Sequence, residues 1–329
     1  MDISVTEPIG QAYAEMKRIL FKPFDIGKWF TLGFCAFLAN ICDCKGPNGP
    51  NGDEGDGSKF GFRSFGEVKA YAIDWISDKW EWIVSIGWVA SVFILLLIIL
   101  FLWLSSRGKF MLLDGVVHNR GAVVKPWHKF KDLANSLFLW RFILFIFGLA
   151  TMMSIVFISI LIAWTDIKAE RFDSNAIMAL TIGISLFVAA LICFDVLGQM
   201  LTDFVTPIMY KRGILGGEAI GIFRREILAN HGGTFILFYL MKFLLVLAMI
   251  IIVILFCILT CCVILIPIVI SKMMPVFFLP FAFILHYIFE IIFLPFTVFF
   301  RCYSLYFLEQ FEPQWRLLGV TAEVKQENS

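Results

Sequence analysis

Charge is what this chain has least of. Only 16% of its 329 residues are charged, and the net charge is +1. A soluble globular chain carries about a quarter charged residues. That scarcity excludes an ordinary soluble enzyme, and the balance of signs excludes a nucleic-acid binder, which needs a basic surface. A disordered chain is excluded by the 60% hydrophobic fraction, with 37 Phe and 10 Trp. Eight cysteines in a chain this long are too sparse for a disulfide framework. Cys193, Cys257, Cys261 and Cys262 lie in apolar runs, where cysteine acts as a small hydrophobe. Cys42 and Cys44 stand near a polar loop and read either as a metal or disulfide pair or as two small interfacial residues. The opening MDISVTEPIGQAYAEMKRIL carries acids and lacks the charged start, short apolar run and small-residue cleavage site of a signal peptide.

Catalytic signatures are missing too. The sequence has no GxSxG nucleophile elbow, and HYIFE (286–290) is not the HExxH of a metalloprotease. GILGG (213–217) lacks the Lys-Ser/Thr that ends a phosphate loop. Asp53, Glu54 and Asp56 do not have EF-hand spacing and read as a solvated acidic loop. No catalytic residue, metal site or cofactor is expected, and an intramembrane hydrolase ranks last among the functional readings.

What is present is apolar length. Mean hydropathy is +0.86. A helix needs about 20 apolar residues to cross the hydrocarbon. Uncharged runs cover 83–104, 142–164 and 175–194. Two more, 235–270 and 273–300, are interrupted by Lys242 and Glu290. The stretch 26–41 is a shorter first span, with Trp29 as an interfacial anchor. The expected fold is therefore all-α: a polytopic membrane protein of six transmembrane helices. Pro267, Pro275, Pro280 and Pro295 punctuate the last two runs. A five-span or re-entrant reading of 255–300 stays open. With six spans, the side holding both termini carries eighteen Lys and Arg against eight on the other. The positive-inside rule then places both ends in the cytoplasm. Outside, 42–82 forms one loop: a Gly/Pro/Asn/Asp-rich tip followed by an aromatic segment spaced as an interfacial helix. Residues 319–329 read as a disordered tail.

The cytoplasmic segments recur. TEPIGQAYAEMKRILFKPFDIGKWF, VVKPWHKFKDLANSLFLWRF and GGEAIGIFRREILANHGGTFILF each give a short basic amphipathic helix, a break, and a Phe-rich entry into the membrane. In the first, Ile9, Ala12, Met16, Ile19 and Leu20 share a face, with Thr6 and Pro8 as start signals. In the third, Ile220, Phe223, Ile227 and Leu228 oppose Arg224 and Arg225. One reading is a single membrane domain, 1–329, built from three parallel repeats of helical hairpins: 1–120, 121–215 and 216–318. The other is that any polytopic protein carries basic amphipathic linkers inside.

LFKPFDIGKWF, SSRGKFMLLDGVV, KFKDLANSLFLWRF, DFVTPIMYKRGI and FFRCYSLYFLEQF resemble segments of an uncharacterised family of prokaryotic multi-pass membrane proteins. That family is loosely similar to the membrane domain of some glycerophosphodiester phosphodiesterases. The resemblance covers most of 7–318. It implies a six-helix domain in a prokaryotic cytoplasmic (inner) membrane, and it implies no catalytic residues.

Ionisable groups inside a membrane are costly and are functional candidates by default. Counting in from the cytoplasmic ends at 1.5 Å per residue, Lys242 lies about 12 Å deep, Glu290 about 16 Å and Asp195 about 18 Å. The matched depths allow a Lys242–Glu290 pair, with Asp195 competing for the lysine. His286 shares a face with Glu290; Gln199 and Asp203 continue the face of Asp195. Asp195, Gln199, Lys242, His286 and Glu290 thus form a candidate buried polar cluster, either a carrier's binding site or a structural pair fixing helix register. Arg107, Lys109, Lys125, Lys129, Lys131, Lys211, Arg212, Arg224 and Arg225 form a basic face for anionic lipid headgroups. Ala179/Gly183 and Gly87/Ser91 permit close helix contacts, within the chain or between copies. The functional expectation is a non-enzymatic scaffold or accessory subunit partnered by membrane lipids, further copies or other membrane proteins. A transporter or lipid-handling carrier is the alternative.

Overall fold

The structure is a computed structural model describing residues 3–41, 87–168, 174–259 and 278–318. The loop expected outside, 42–82 with Cys42 and Cys44, the expected tail 319–329, and 260–277 of the re-entrant question lie outside the described residues. Among the described residues every regular element is helical. In chain order they are α1 (Glu7–Phe21), α2 (Ile26–Asn40), α3 (Gly87–Val117), α4 (Val124–Lys129), α5 (Lys131–Lys168), α6 (Ser174–Met200), α7 (Thr206–Arg212), α8 (Gly216–Ile222), α9 (Ala229–Leu259), α10 (Phe278–Ile292) and α11 (Leu294–Glu309). Single π-turns join α6 to α7 (Leu201–Val205) and α8 to α9 (Phe223–Leu228).

Four segments have the length and composition to cross a membrane: Gly87–Val117, Lys131–Asp166, Ser174–Arg212 and His231–Ile254. A fifth exists if His286–Ile292 and Leu294–Glu309, bent by 63°, count as one span. The bend falls one residue before the Leu294-Pro295 pair that opens α11, with Phe293 non-helical. Proline lacks an N–H and clashes with the preceding turn, which accounts for the break. Among the described residues the expected count of six is not reached. Its first member, α2, has 15 residues, about 22 Å at 1.5 Å per residue, short of the roughly 30 Å hydrocarbon.

The chain divides into two compact units. The first comprises 1–41, 103–138 and 199–329. Here α1 packs on α11 and α2 on α10. The apolar face of α1 is the one its periodicity indicates, with Ala12, Met16, Ile19 and Leu20 buried. Its start is held by Ser4, whose Oγ accepts the Glu7 N–H at 3.2 Å, rather than by Thr6. Gln310 clamps the same end to the end of α11, exchanging two hydrogen bonds with the Ser4 backbone at 2.8 and 2.9 Å. Buried Glu15 receives the Arg18 guanidinium, and that bond holds the Arg18 pKa above its ordinary value.

Helices α2 and α3 meet backbone to backbone. Ser105 Oγ donates to the Ala39 carbonyl at 2.6 Å. A Cβ on Gly108 would fall 2.5 Å from the Leu38 carbonyl carbon, so only glycine fits. The core is strongly aromatic. Phe204 stacks on Phe223 (5.5 Å between centroids) and meets Phe235 edge-on at 5.0 Å. Phe238 stacks on Phe307 at 4.4 Å and on Tyr303 at 4.9 Å.

The second unit comprises 42–102 and 139–198. Within it α5 and α6 form a hairpin. Gly183 lies against Ser159, whose hydroxyl a Cβ there would displace, and Ala179 is buried one turn earlier. This small-residue pair therefore serves a contact inside the chain. At the turn, Asp166 accepts the Ala176 N–H at 2.8 Å and the Asn175 amide at 3.2 Å, capping the start of α6.

Candidate functional site

Two of the charged groups buried in the first unit, Asp203 and Arg301, meet at the π-turn that follows α6. Asp203 sits inside it, and its carboxylate pairs with the Lys242 ammonium from α9. Arg301 of α11, also buried, donates from Nη1 to the Thr202 carbonyl at 2.8 Å. The widened turn explains the second contact. In an α-helix the Thr206 N–H would bond the Thr202 carbonyl, but in this turn it bonds Leu201 instead. The next residue, Pro207, has no N–H to replace it. The Thr202 carbonyl thus loses its helical donors, and the guanidinium serves it.

This arrangement corrects the expected pairing: Lys242 pairs with Asp203, not with Glu290. Glu290 is buried and accepts the Asn40 amide of α2 at 3.1 Å. His286 tilts against Phe37 of α2, 5.3 Å between centroids. Gln199, in the first unit, is half-buried; Asp195 belongs to the second unit and occupies an exposed position of α6. The five residues proposed as one cluster are therefore distributed over several local settings.

A second network closes the end of α3. Asn119 adopts φ +49°, with Asn119 N–H bonded to Val116 and Arg120 N–H to Gly115. This left-handed stop is a Schellman motif with Asn in place of Gly. It turns Arg120 back onto Asp114, which is fully buried, at 2.9 Å. Asp114 also accepts the Tyr210 hydroxyl of α7 at 2.9 Å and stands 3.3 Å from His118 Nδ1. Sequence reading missed Asp114 as an organising residue. Its signal was a carboxylate at the end of an apolar run, four residues before His118 and six before Arg120.

Next to this network opens a cleft of about 700 Å³, with Lys129, Lys211, Arg212 and His118 on its walls and Asp132 as its carboxylate. Lys211 Nζ donates to the Arg316 carbonyl at 2.9 Å. Arg212 lies 4.7 Å over the Trp315 ring and bonds the Gln314 amide oxygen at 3.0 Å. The basic face is otherwise redrawn. Lys125, Lys129, Lys131, Lys211, Arg212, Arg224 and Arg225 are exposed, as a headgroup-binding set requires. Arg107 and Lys109 are not: α3 stays helical through them and both are buried. Arg107 lies between the Trp103 and Trp127 rings, 4.5 and 4.8 Å from their centroids. Among the described residues no group of three His, Cys, Asp or Glu is placed to hold a metal ion.

The chain belongs to a family of unknown function, DUF7544, whose model matches residues 3–318. No curated protein and no solved structure matches it.

Proposed function

We propose that this chain is an integral membrane protein acting as a non-enzymatic scaffold or accessory subunit, held by lipids and by partner proteins or further copies of itself. The observation that carries the reading is the bareness of its apolar helices. None of the most apolar window of Lys131–Asp166 is buried, and only 6% of that of the other three spans. Phe93, Phe147, Phe157, Ile184 and Phe243 all stand exposed. Patches this large on a soluble protein mark interaction or membrane surfaces. In hydrocarbon the same side chains are in their preferred solvent.

In this reading the membrane is a prokaryotic inner membrane and both ends are cytoplasmic. Helix α2 and the bent α10–α11 pair complete six crossings, each two preceded by a short helix (α1, α4, α8). The order short helix, entering helix, returning helix occurs three times, in keeping with three parallel hairpins. A single-cysteine tag near residue 52, labelled by an impermeant maleimide in intact cells, tests the orientation. Labelling only after lysis overturns it. Mass measurement in nanodiscs tests the scaffold, which requires a defined oligomer or a bound partner.

A carrier is the second reading, favoured by buried Asp203 and Arg301 and half-buried Lys242 around a π-turn, since such turns occur frequently at functional sites. It requires a water path to Asp203. Protection of an introduced cysteine at 203 from aqueous reagents on both sides argues against it.

A further inference from the structure

We infer that the cleft between the end of α3, the start of α5 and the end of α7 binds a phosphate-bearing anion, the headgroup of an anionic lipid or a soluble phosphoester. The inference deepens the lipid-associated reading and rests on it for the lipid source. Lys129, Lys211 and Arg212 line the cleft against one carboxylate, Asp132. An excess of cations over carboxylates at one opening is the electrostatic requirement for a phosphate.

The cations keep donors to spare. Lys129 lies 4.9 Å over the Phe130 ring and makes no ion pair or hydrogen bond among the described residues. Lys211 spends one of its three donors on the Arg316 carbonyl. The Arg212 fork bonds Gln314 through one nitrogen, with Glu226 more distant at 3.8 Å. Guanidinium and ammonium groups bind phosphate through charge-assisted hydrogen bonds.

One wall of the cleft is prearranged. Buried Asp114 fixes both the Tyr210 hydroxyl and the Nδ1 side of His118, and His118 Nε2 makes no hydrogen bond among the described residues. The cleft's volume of about 700 Å³ lies within the roughly 300–1,000 Å³ of small-molecule sites. Leu133, Leu215 and Leu317 also line it, giving apolar surface beside the cations. That combination suits an amphiphile with a phosphate.

The test compares two charge-matched double variants in nanodiscs: Lys129→Gln with Arg212→Gln in the cleft, and Lys125→Gln with Arg225→Gln on exposed positions outside it. The lipid arm uses phosphatidylcholine discs containing phosphatidylglycerol and reads retained anionic lipid by native mass spectrometry. The soluble arm uses phosphatidylcholine discs alone and titrates glycerol 3-phosphate calorimetrically. We expect the cleft variant to lose about tenfold or more in at least one arm, two charge-assisted bonds being removed, with the outside variant little changed. The affected arm names the source. Equal losses in the two variants overturn the cleft site while leaving general lipid attraction, and so the membrane scaffold, intact. Absence of binding to the wild type in both arms overturns the cleft site as well. The maleimide labelling and the oligomer mass then decide separately whether the scaffold reading stands.

Discussion

Asp203 holds the Lys242 ammonium from inside a π-turn, with both side chains largely removed from solvent. Breaking such a pair by removing one partner leaves a buried charge and costs about 3–5 kcal/mol, whereas replacing both with apolar groups is often neutral. Lys242→Met alone is therefore expected to lower the apparent thermal stability in detergent sharply. Lys242→Met with Asp203→Leu should recover most of it. Lys242→Met with Glu290→Leu should show no recovery, because Glu290 answers to Asn40. Recovery by Glu290→Leu and none by Asp203→Leu would restore the pairing inferred from depth.

The reason depth failed is local. Rise per residue placed Lys242 and Glu290 at similar levels, and the i+4, i+8 rule carried the face of Asp195 through Gln199 to Asp203. Both rules assume an unbroken α-helix. The π-turn at Leu201–Val205 widens the helix where Asp203 sits, so plain α-helical spacing does not hold there. Nothing in the letters LTDFVTP announces a π-turn beyond the proline that makes it tolerable. The amphipathic faces were legible because they obey plain periodicity. In α1, Ala12, Met16, Ile19 and Leu20 are buried while Gln11 and Lys17 are exposed, as their spacing indicates. Arg107 and Lys109 misled because charge after an apolar run reads as a loop. The small residues around them, Ser105, Ser106 and Gly108, were the sign that α3 continues against α2. The apolar runs gave the class of the fold reliably. Their ends, where charge meets membrane, needed tertiary contacts.

If Pro207 is what deprives the Thr202 carbonyl of a helical donor, the two residues should be coupled. Arg301→Met takes the guanidinium from that half-buried carbonyl, at a cost of about 1–3 kcal/mol, the range for hydrogen bonds to charged groups. Pro207→Ala supplies an N–H five residues on, where a π-turn can use it. The loss from Arg301→Met should shrink in the Pro207→Ala background. A double-mutant cycle on thermal stability reads this directly, and strict additivity would refute the assignment of Arg301 to the proline's missing donor.

Gly108 is the tightest test of the α2–α3 contact. A methyl there meets the Leu38 carbonyl carbon at 2.5 Å, and backbone cannot move aside as a side-chain tip can. Gly108→Ala is expected to destabilise by about 1–3 kcal/mol, the usual range for overpacking. Gly10→Ala on α1, where nothing lies within 4 Å of the added carbon, should be neutral or slightly stabilising, since alanine favours helix by about 1 kcal/mol over glycine. Equal melting temperatures for the two variants would mean the helices do not approach as described.

Asp114 joins stability to the cleft. Its carboxylate is fully buried and ties together the Schellman end of α3, through Arg120, and α7, through Tyr210. Asp114→Asn keeps the shape and one acceptor but removes the charge that the arginine answers. Tyr210→Phe removes only the hydroxyl, leaving Arg120 paired. Net hydrogen bonds contribute about 1 kcal/mol and those to charged groups about 1.5–3. The expected order of thermal stability is therefore wild type, then Tyr210→Phe, then Asp114→Asn. Because Tyr210 and His118 take their positions from Asp114, phosphate-dependent binding in the cleft should weaken in Asp114→Asn even at temperatures where the protein stays folded. Unchanged binding with lowered stability would separate the two roles, leaving Asp114 as a support for helix ends alone.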